Sequence, residues 1–339
     1  RPDGRALMRD THLSSPAVLP WIAFLAVALA PLMMSSGWTN MAILTLLFVH
    51  LCIAWNLVGG IAGQFCIGHS LFLAAGAYTS TLLSIHLGIS PWIGMFAGAA
   101  LAAVIGVFIA WLSFRYELPP LSFALVTIAL AMLGFLAISS IDFLGASRGL
   151  TLPVRGTPAM YQFRSDTTYY VVILIQVIIA LALSMWLYHT KIGLYLRAVR
   201  DNERAAHAIG VPVLKYKMLA MAISAALTAF GGTFYAQYLQ YVEPHTFAGI
   251  NIVIQIILLT VVGGSGTVWG PVVGPLLLVP AGEWLRHSLG GSLPGVHLLI
   301  FGVLLVVVIR FAPDGLIGAF GRARQAWRFR RGVAEAATQ

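Results

Sequence analysis

The chain has 339 residues, 59% of them hydrophobic and only 9% charged, with a formal net charge of +9. Ordinary soluble domains carry about 25% charged residues, so the composition excludes a pair of soluble domains of this combined length and belongs to a polytopic membrane protein. The basic excess does not point to nucleic acid, because the basic residues lie in short stretches beside apolar runs, where membrane topology and anionic headgroups account for them.

A hydrocarbon layer of about 30 Å is crossed by about 20 apolar residues in a helix. Apolar runs of suitable length fall at 17–34, 40–58, 68–87, 91–114, 119–141, 169–188, 217–240, 248–262, 269–287 and 295–311. The predicted fold is therefore all-α, a polytopic transmembrane helical bundle of about ten segments. The organisation expected is a lead at 1–16, a membrane domain at 17–311 that includes a polar loop at 189–216, and a basic tail at 312–339. The first run contains AVALAP from Ala26, which has the small-residue alternation of a signal-peptide cleavage site. Pro31 spoils that site and a lead with Arg1, Arg5 and Arg9 precedes the run, so an uncleaved helix is expected. The run at 248–262 is short, and either crosses or re-enters on one side.

No Asp, Glu, Lys or Arg occurs from Thr11 to Phe114. Within that stretch Asn56, Gly59, Gly60, Gly63, Gln64, Gly68 and His69 interrupt the apolar pattern. Each glycine costs helix stability, about 1 kcal/mol relative to Ala. Non-helical backbone inside a membrane survives only where protein buries it or water lines it. Two readings follow, close helix packing through small residues or backbone lining a transport route; Gln64 and His69 likewise either bond neighbouring helices or face that route. Cys52 and Cys66 read as small hydrophobes, with no disulfide or zinc spacing.

The stretch RAVRDNERAAHAIGVP, Arg197 to Pro212, is a charged island between apolar segments. Asp201 is expected to cap a short helix over 202–209, with Gly210 as a left-handed terminator and Pro212 preventing continuation. Val199, Asn202, Ala206 and Ile209 would share one side, and Arg197, Arg200, Arg204 and His207 another. The plain reading is a basic loop that fixes topology. A second glycine-rich break follows at Gly263, Gly264, Gly266 and Gly270, in a position corresponding to the first, which hints at an internal repeat. Its GGSGTVWG lacks the Lys-Ser/Thr of a phosphate-binding loop. Glu243, His245 and Glu283 fall near predicted membrane boundaries, where a solvated end is expected ahead of a gate. If all ten segments cross, one side receives sixteen Lys and Arg and the other receives four, Arg148, Arg155, Arg164 and Arg286. The richer side is then cytoplasmic, with both termini inside.

Glu203, Ala205, Ala206 and Gly210 resemble the E-A-A then G signature of bacterial ABC importer permeases, whose loop helix docks in a groove of the ATPase. Four further stretches are similar to the permeases of branched-chain amino acid ABC importers. NLVGGIAGQFCIGHSLFLAAGAY, from Asn56, looks like the family's N-L-x-x-G-x-x-G-Q-x-S-x-G-H segment, with Cys66 where Ser is usual. SFALVTIALAM, from Ser122, resembles the Y-F-A-x-V-T-L-A helix, with Ser122 for Tyr and Glu117-Leu118-Pro119-Pro120 where R-G is customary. VVGGSGTVWGPVVGP, from Val261, and RFAPDGLIG, from Arg310, match the G-G-x-G-x-x-x-G-P-x-x-G and R-F-x-P-x-G-L blocks.

The resemblance implies an inner-membrane permease subunit for branched-chain or other hydrophobic amino acids, forming half of a pathway, with a cytoplasmic coupling helix. Asp201, Glu203, Arg204, Ala205, Ala206 and Gly210 would meet the ATPase, and Asn56, Gly60, Gly63, Gln64, Gly68, His69, Gly263, Gly264 and Gly266 would form the helix breaks or line the path. The implied partners are ABC ATPase subunits, a second related permease, an extracytoplasmic substrate-binding protein and the lipid bilayer, with no cofactor. The competing class is a secondary transporter or channel working without an ATPase, which glycine-interrupted helices also suit. The lack of acids from Thr11 to Phe114 argues against proton coupling without excluding a sodium or uniport mechanism. An integral membrane enzyme fares worse, since no H-E-x-x-H and no metal-ligand or catalytic cluster is visible.

Overall fold

The structure, a computed structural model, describes residues 36–116, 119–153, 156–289, 302–303, 310 and 315–318. The expected segment at 17–34, nearly all of that at 295–311, the lead and most of the tail lie outside the described residues. The described elements in chain order are α1 (Ser36–Asn56), a π-helical turn (Leu57–Ile61), α2 (His69–Leu87), α3 (Pro91–Arg115), α4 (Pro120–Ser140), β1 (Leu150–Thr151), α5 (Asp166–His189), α6 (Lys191–Asp201), α7 (Glu203–Ala208), α8 (Val213–Leu239), β2 (Tyr241–Val242), α9 (Pro244–Phe247), α10 (Ile250–Gly263) and α11 (Gly270–Leu289). Seven helical stretches among them are long and apolar enough to cross a membrane. α11 occupies the ninth expected segment, with Pro275 and Pro280 inside it.

The helix limits follow local chemistry. Ser90 accepts a hydrogen bond from the Trp92 N–H and Pro91 takes the first helical position of α3. Ser165 does the same for Thr167 at the start of α5, where Asp166 adds charge suited to the dipole. Gly88, in the left-handed region at φ 63°, ends α2.

α1 runs through the centre, with 78% of its most apolar window buried, and α4 lies at the edge, with 22%. Around α1 the tightest unit is α2, α3 and α8, which meet through small residues. A Cβ at Gly232 would strike the Leu73 carbonyl, one at Gly76 would strike the Ala229 carbonyl, and one at Gly98 would sit 3.0 Å from the Gly76 Cα. In lipid there is no hydrophobic drive between helices, so backbone approach of this kind supplies the packing.

The bundle has two polar ends. At one, the turn after α4 folds back so that β1 pairs antiparallel with β2, Leu150 opposite Val242. There Trp92 donates to the Pro158 carbonyl at 3.0 Å and its ring lies 4.1 Å from that of Tyr161. Burial pushes the Tyr161 hydroxyl pKa above its usual value. At the opposite end lie α6, α7 and both glycine breaks. α10 starts beside β2 and finishes at the second break, so with α9 it covers Pro244–Gly263, 20 residues, a stretch long and apolar enough to cross a membrane.

Candidate functional site

α6 presents Gly193, Leu196 and Val199 to the protein and leaves Lys191 exposed. It stops at Asp201 because Asn202 turns extended, at φ −159° and ψ 103°. The capping residue of α7 is Asn202, whose Oδ1 accepts from the Ala205 N–H at 3.0 Å; Asp201, expected in that role, is instead the last residue of α6. The physical reason is that α6 continues through Asp201, leaving the next residue at the extended position that a cap requires. Gly210 does take the left-handed conformation, φ 86°, after α7.

Nine of the ten residues from 201 to 210 are exposed; Ala206 alone is buried. Ala206 packs with Val199, Val211 and Val213 in a small cluster. Ile209, expected on the same apolar side, is 79% exposed. Asn202 is likewise exposed, so of the expected apolar face Val199 and Ala206 are the buried members. Asp201, Glu203, Arg204, Ala205 and Gly210 present an open surface.

The island is also bolted down electrostatically. Glu203 Oε2 lies 2.7 Å from Lys217 Nζ, whose side chain is 3% exposed. That ammonium sits 4.4 Å from the centre of the Phe114 ring, and Phe114 stacks on Phe123 at 4.9 Å. One buried cation thus joins α7 to α3, α4 and α8, with a carboxylate on one side and an aromatic face on the other.

Immediately beside the island, the two breaks pair. Asn56, fully buried at the end of α1, donates from Nδ2 to the Thr267 carbonyl at 2.8 Å and accepts from the Gly266 N–H at 2.8 Å. Its carboxamide so satisfies two backbone polar groups of adjacent residues in the second break. A Cβ at Gly60 would collide with the Asn56 Oδ1 and the Gly266 nitrogen. The π turn, closed by the Ala62 N–H donating to the Leu57 carbonyl at 3.2 Å, is the local widening that glycine permits. Gly63 at φ 68°, Gly264 at 121° and Gly266 at 78° use backbone space that other residues resist.

The remaining expected break residues surround this seam. Gln64, buried, donates to the Ala62 carbonyl at 3.3 Å. Gly68 approaches the Thr127 carbonyl so closely that a Cβ would lie 3.0 Å from it, and the Thr127 hydroxyl accepts from the Ile67 N–H at 3.1 Å. His69 Nε2 lies 2.9 Å from the Ser224 hydroxyl, which donates to the Ala54 carbonyl at 2.6 Å, so the imidazole N–H is the donor and the ring bonds α2 to α8. Gly263 meets Gly270 and Gly274, closing α10 against α11, and Gly315 abuts Gly264. Trp55, Thr127, Ser224, Thr267 and Lys217 also build the site, and the sequence reading did not single them out; Arg200, read only as part of the basic side of the island, builds it too. Lys217 carried a legible signal, as one of three lysines and at the start of an apolar segment.

A bundle of membrane-length helices bears at one end a solvent-facing polar helix, the handle, mounted on two interlocked breaks. The chain belongs to the family described as branched-chain amino acid transport system / permease component, whose sequence profile matches residues 22–309. It is accordingly a multi-pass inner-membrane protein, the non-catalytic membrane subunit of an ABC importer, a class in which ATPase and substrate-binding functions reside in other chains. It is similar to the high-affinity branched-chain amino acid transport system permease protein LivM of Escherichia coli (strain K12), at 27% identity over 328 residues, covering 87% of this chain and 74% of that one. A probable LivM of Methanocaldococcus jannaschii is 25% identical over 262 residues, 73% of this chain and 75% of its own. Among solved structures, PsaBC from Streptococcus pneumoniae in complex with Fab aligns over 88% of this chain and 99% of that chain, with a TM-score of 0.46 and 16% identity.

Proposed function

We propose that this chain forms half of a translocation pathway for branched-chain and other hydrophobic amino acids, and that residues 201–210 receive the ATPase subunit. In this reading the island end is cytoplasmic, as are the lead at 1–16 and the tail at 312–339. A substrate-binding protein docks at the opposite end, and a second related permease completes the pathway. Asp201, Glu203, Arg204, Ala205 and Gly210 form the contact surface, with Ala206 as its anchor. The paired breaks, from Asn56 to His69 and at Gly263, Gly264 and Gly266, serve as the seam that the docked ATPase works against.

The observation that carries the reading is the combination of exposure and anchorage in α7. A six-residue helix is too short to be stable alone, yet this one is held by Asn202, Ala206 and the Glu203–Lys217 pair with its whole outer surface open. The substrate class rests on the relatives, whose names specify branched-chain amino acids.

The test is uptake of radiolabelled leucine into proteoliposomes containing this chain, its companion permease, the ATPases and the binding protein. ATP-dependent uptake is expected; uptake driven by an ion gradient through this chain alone would overturn the reading. Glu203→Arg should release the ATPases in pull-down while leaving membrane insertion intact, since it places a cation against Lys217. Unchanged co-purification and transport would count against the docking site.

A further inference from the structure

Arg200 stands one residue before the handle, outside the motif that marks it. Its side chain leaves α6 and enters the seam between the two breaks. Nη1 donates to the Gly60 carbonyl at 3.3 Å, in the π turn. Its Cγ and Cβ lie over Gly63, where an added Cβ would collide with the stem, and the same Nη1 occupies the space beside Gly266, 2.5 Å from where a Cβ would be. Nε and Nη2 both donate to Asp201 Oδ1 at 3.3 Å, on the solvent side. Two glycines from distant parts of the chain, Gly63 and Gly266, thus leave room for one arginine, and both are in the left-handed region. The guanidinium suits this position because it stays charged, carries several donors in a rigid fork, and has an apolar stem that can lie on glycine backbone.

We propose that Arg200 is the positioning residue that transmits movement of the ATPase-docking helix to the paired glycine breaks, a proposal that rests on the coupling function assigned above to 201–210. The mechanical logic is short. α6 ends at Asp201 and α7 begins at Glu203, so displacement of α7 reaches Arg200 through two residues. Asp201 holds the guanidinium from the α7 side, while Gly60 holds it from the bundle side. Asn56 then locks the first break to the second, so a pull on the Gly60 carbonyl is delivered to Gly266 and Thr267, where α11 begins shortly afterwards. Glu203 and Lys217 hold the handle to α3 and α8 by a separate route, which keeps attachment of the handle distinct from transmission through it.

A residue biases a conformational equilibrium only by contacts that differ between the two states. Loss of the guanidinium should therefore uncouple hydrolysis from transport without detaching the ATPase. The experiment uses the complete transporter in proteoliposomes and compares Arg200→Ala and Arg200→Lys with the unaltered complex for ATPase co-purification, ATP hydrolysis and leucine uptake. For Arg200→Ala, co-purification and hydrolysis should persist while leucine moved per ATP falls about 10-fold or more, the scale set by losing a charged hydrogen bond. Arg200→Lys, which retains charge and stem but not the fork, should lie between. A merely structural role would lower assembly, hydrolysis and uptake together and leave their ratio unchanged; that result, or an unaltered ratio with full activity, overturns the proposal. If Arg200→Ala does not assemble, the ratio for Arg200→Lys decides. Failure of the unaltered complex to use ATP would instead remove the coupling function itself, and is read from a different sample.

Discussion

Asn56 shows how much one buried amide controls here. Its two hydrogen bonds, both 2.8 Å, are directed to the backbone of two adjacent residues more than 200 positions away. Asn56→Ala would leave the Gly266 N–H and the Thr267 carbonyl to find other partners, at about 1–3 kcal/mol for each that stays unsatisfied. Thermal unfolding of the detergent-solubilised subunit should shift clearly downward, and Asn56→Asp, which keeps the acceptor but loses the donor, should fall between; an unaltered melting curve for Asn56→Ala would contradict the seam. The sequence marked Asn56 and its neighbouring glycines as unusual because polar and helix-weakening residues stood in an apolar run. It held two explanations open for them. The contact between Asn56 and Gly266 was not legible, because a carboxamide's partner is set by the folding of both breaks to one place.

At the scale of elements, the membrane-length helices were readable because length, apolarity and Pro or Gly boundaries are local properties. The segments expected at 91–114 and 68–87 are α3 and α2, shifted by one residue at one end of each. A short helix stands within the expected range 202–209, over Glu203–Ala208, but its cap is Asn202 and not Asp201, since either residue can cap and only the extent of α6 chooses between them. Close packing of α2, α3 and α8 yields a direct prediction. Gly232→Val puts a side chain into the Leu73 carbonyl and should cost about 1–3 kcal/mol or more, read as aggregated or poorly expressed protein in size-exclusion chromatography. Gly37→Ala, with nothing within 4 Å, should elute as the unaltered protein and serves as the control.

For the whole molecule, orientation decides whether the handle can meet an ATPase at all. The two native thiols are both buried, and burial pushes that of Cys66 up to about 12, so it stays protonated and unreactive near neutral pH. A cysteine introduced by Ile209→Cys, at a position that is 79% exposed, should therefore be the reactive one. In intact cells a membrane-impermeant maleimide should leave it unlabelled, and in inside-out vesicles should label it; the reverse pattern would place the handle outside and remove the proposed function. The asymmetry of basic residues, sixteen against four, is the sequence's own basis for expecting the first outcome.

Composition and hydrophobic runs alone determined that this chain lives in a bilayer as a helical bundle, because the cost of exposing apolar surface or unpaired backbone acts residue by residue and is written in local pattern. Motif resemblance added the family. What the tertiary structure decided is that the stretches at Asn56, Thr127, Gly264 and Gly315, scattered along the sequence, gather at one end, and that Arg200 and Lys217 tie the handle to them. Those contacts depend on which helices cross at their glycines, a property of backbone approach in three dimensions that no linear spacing contains.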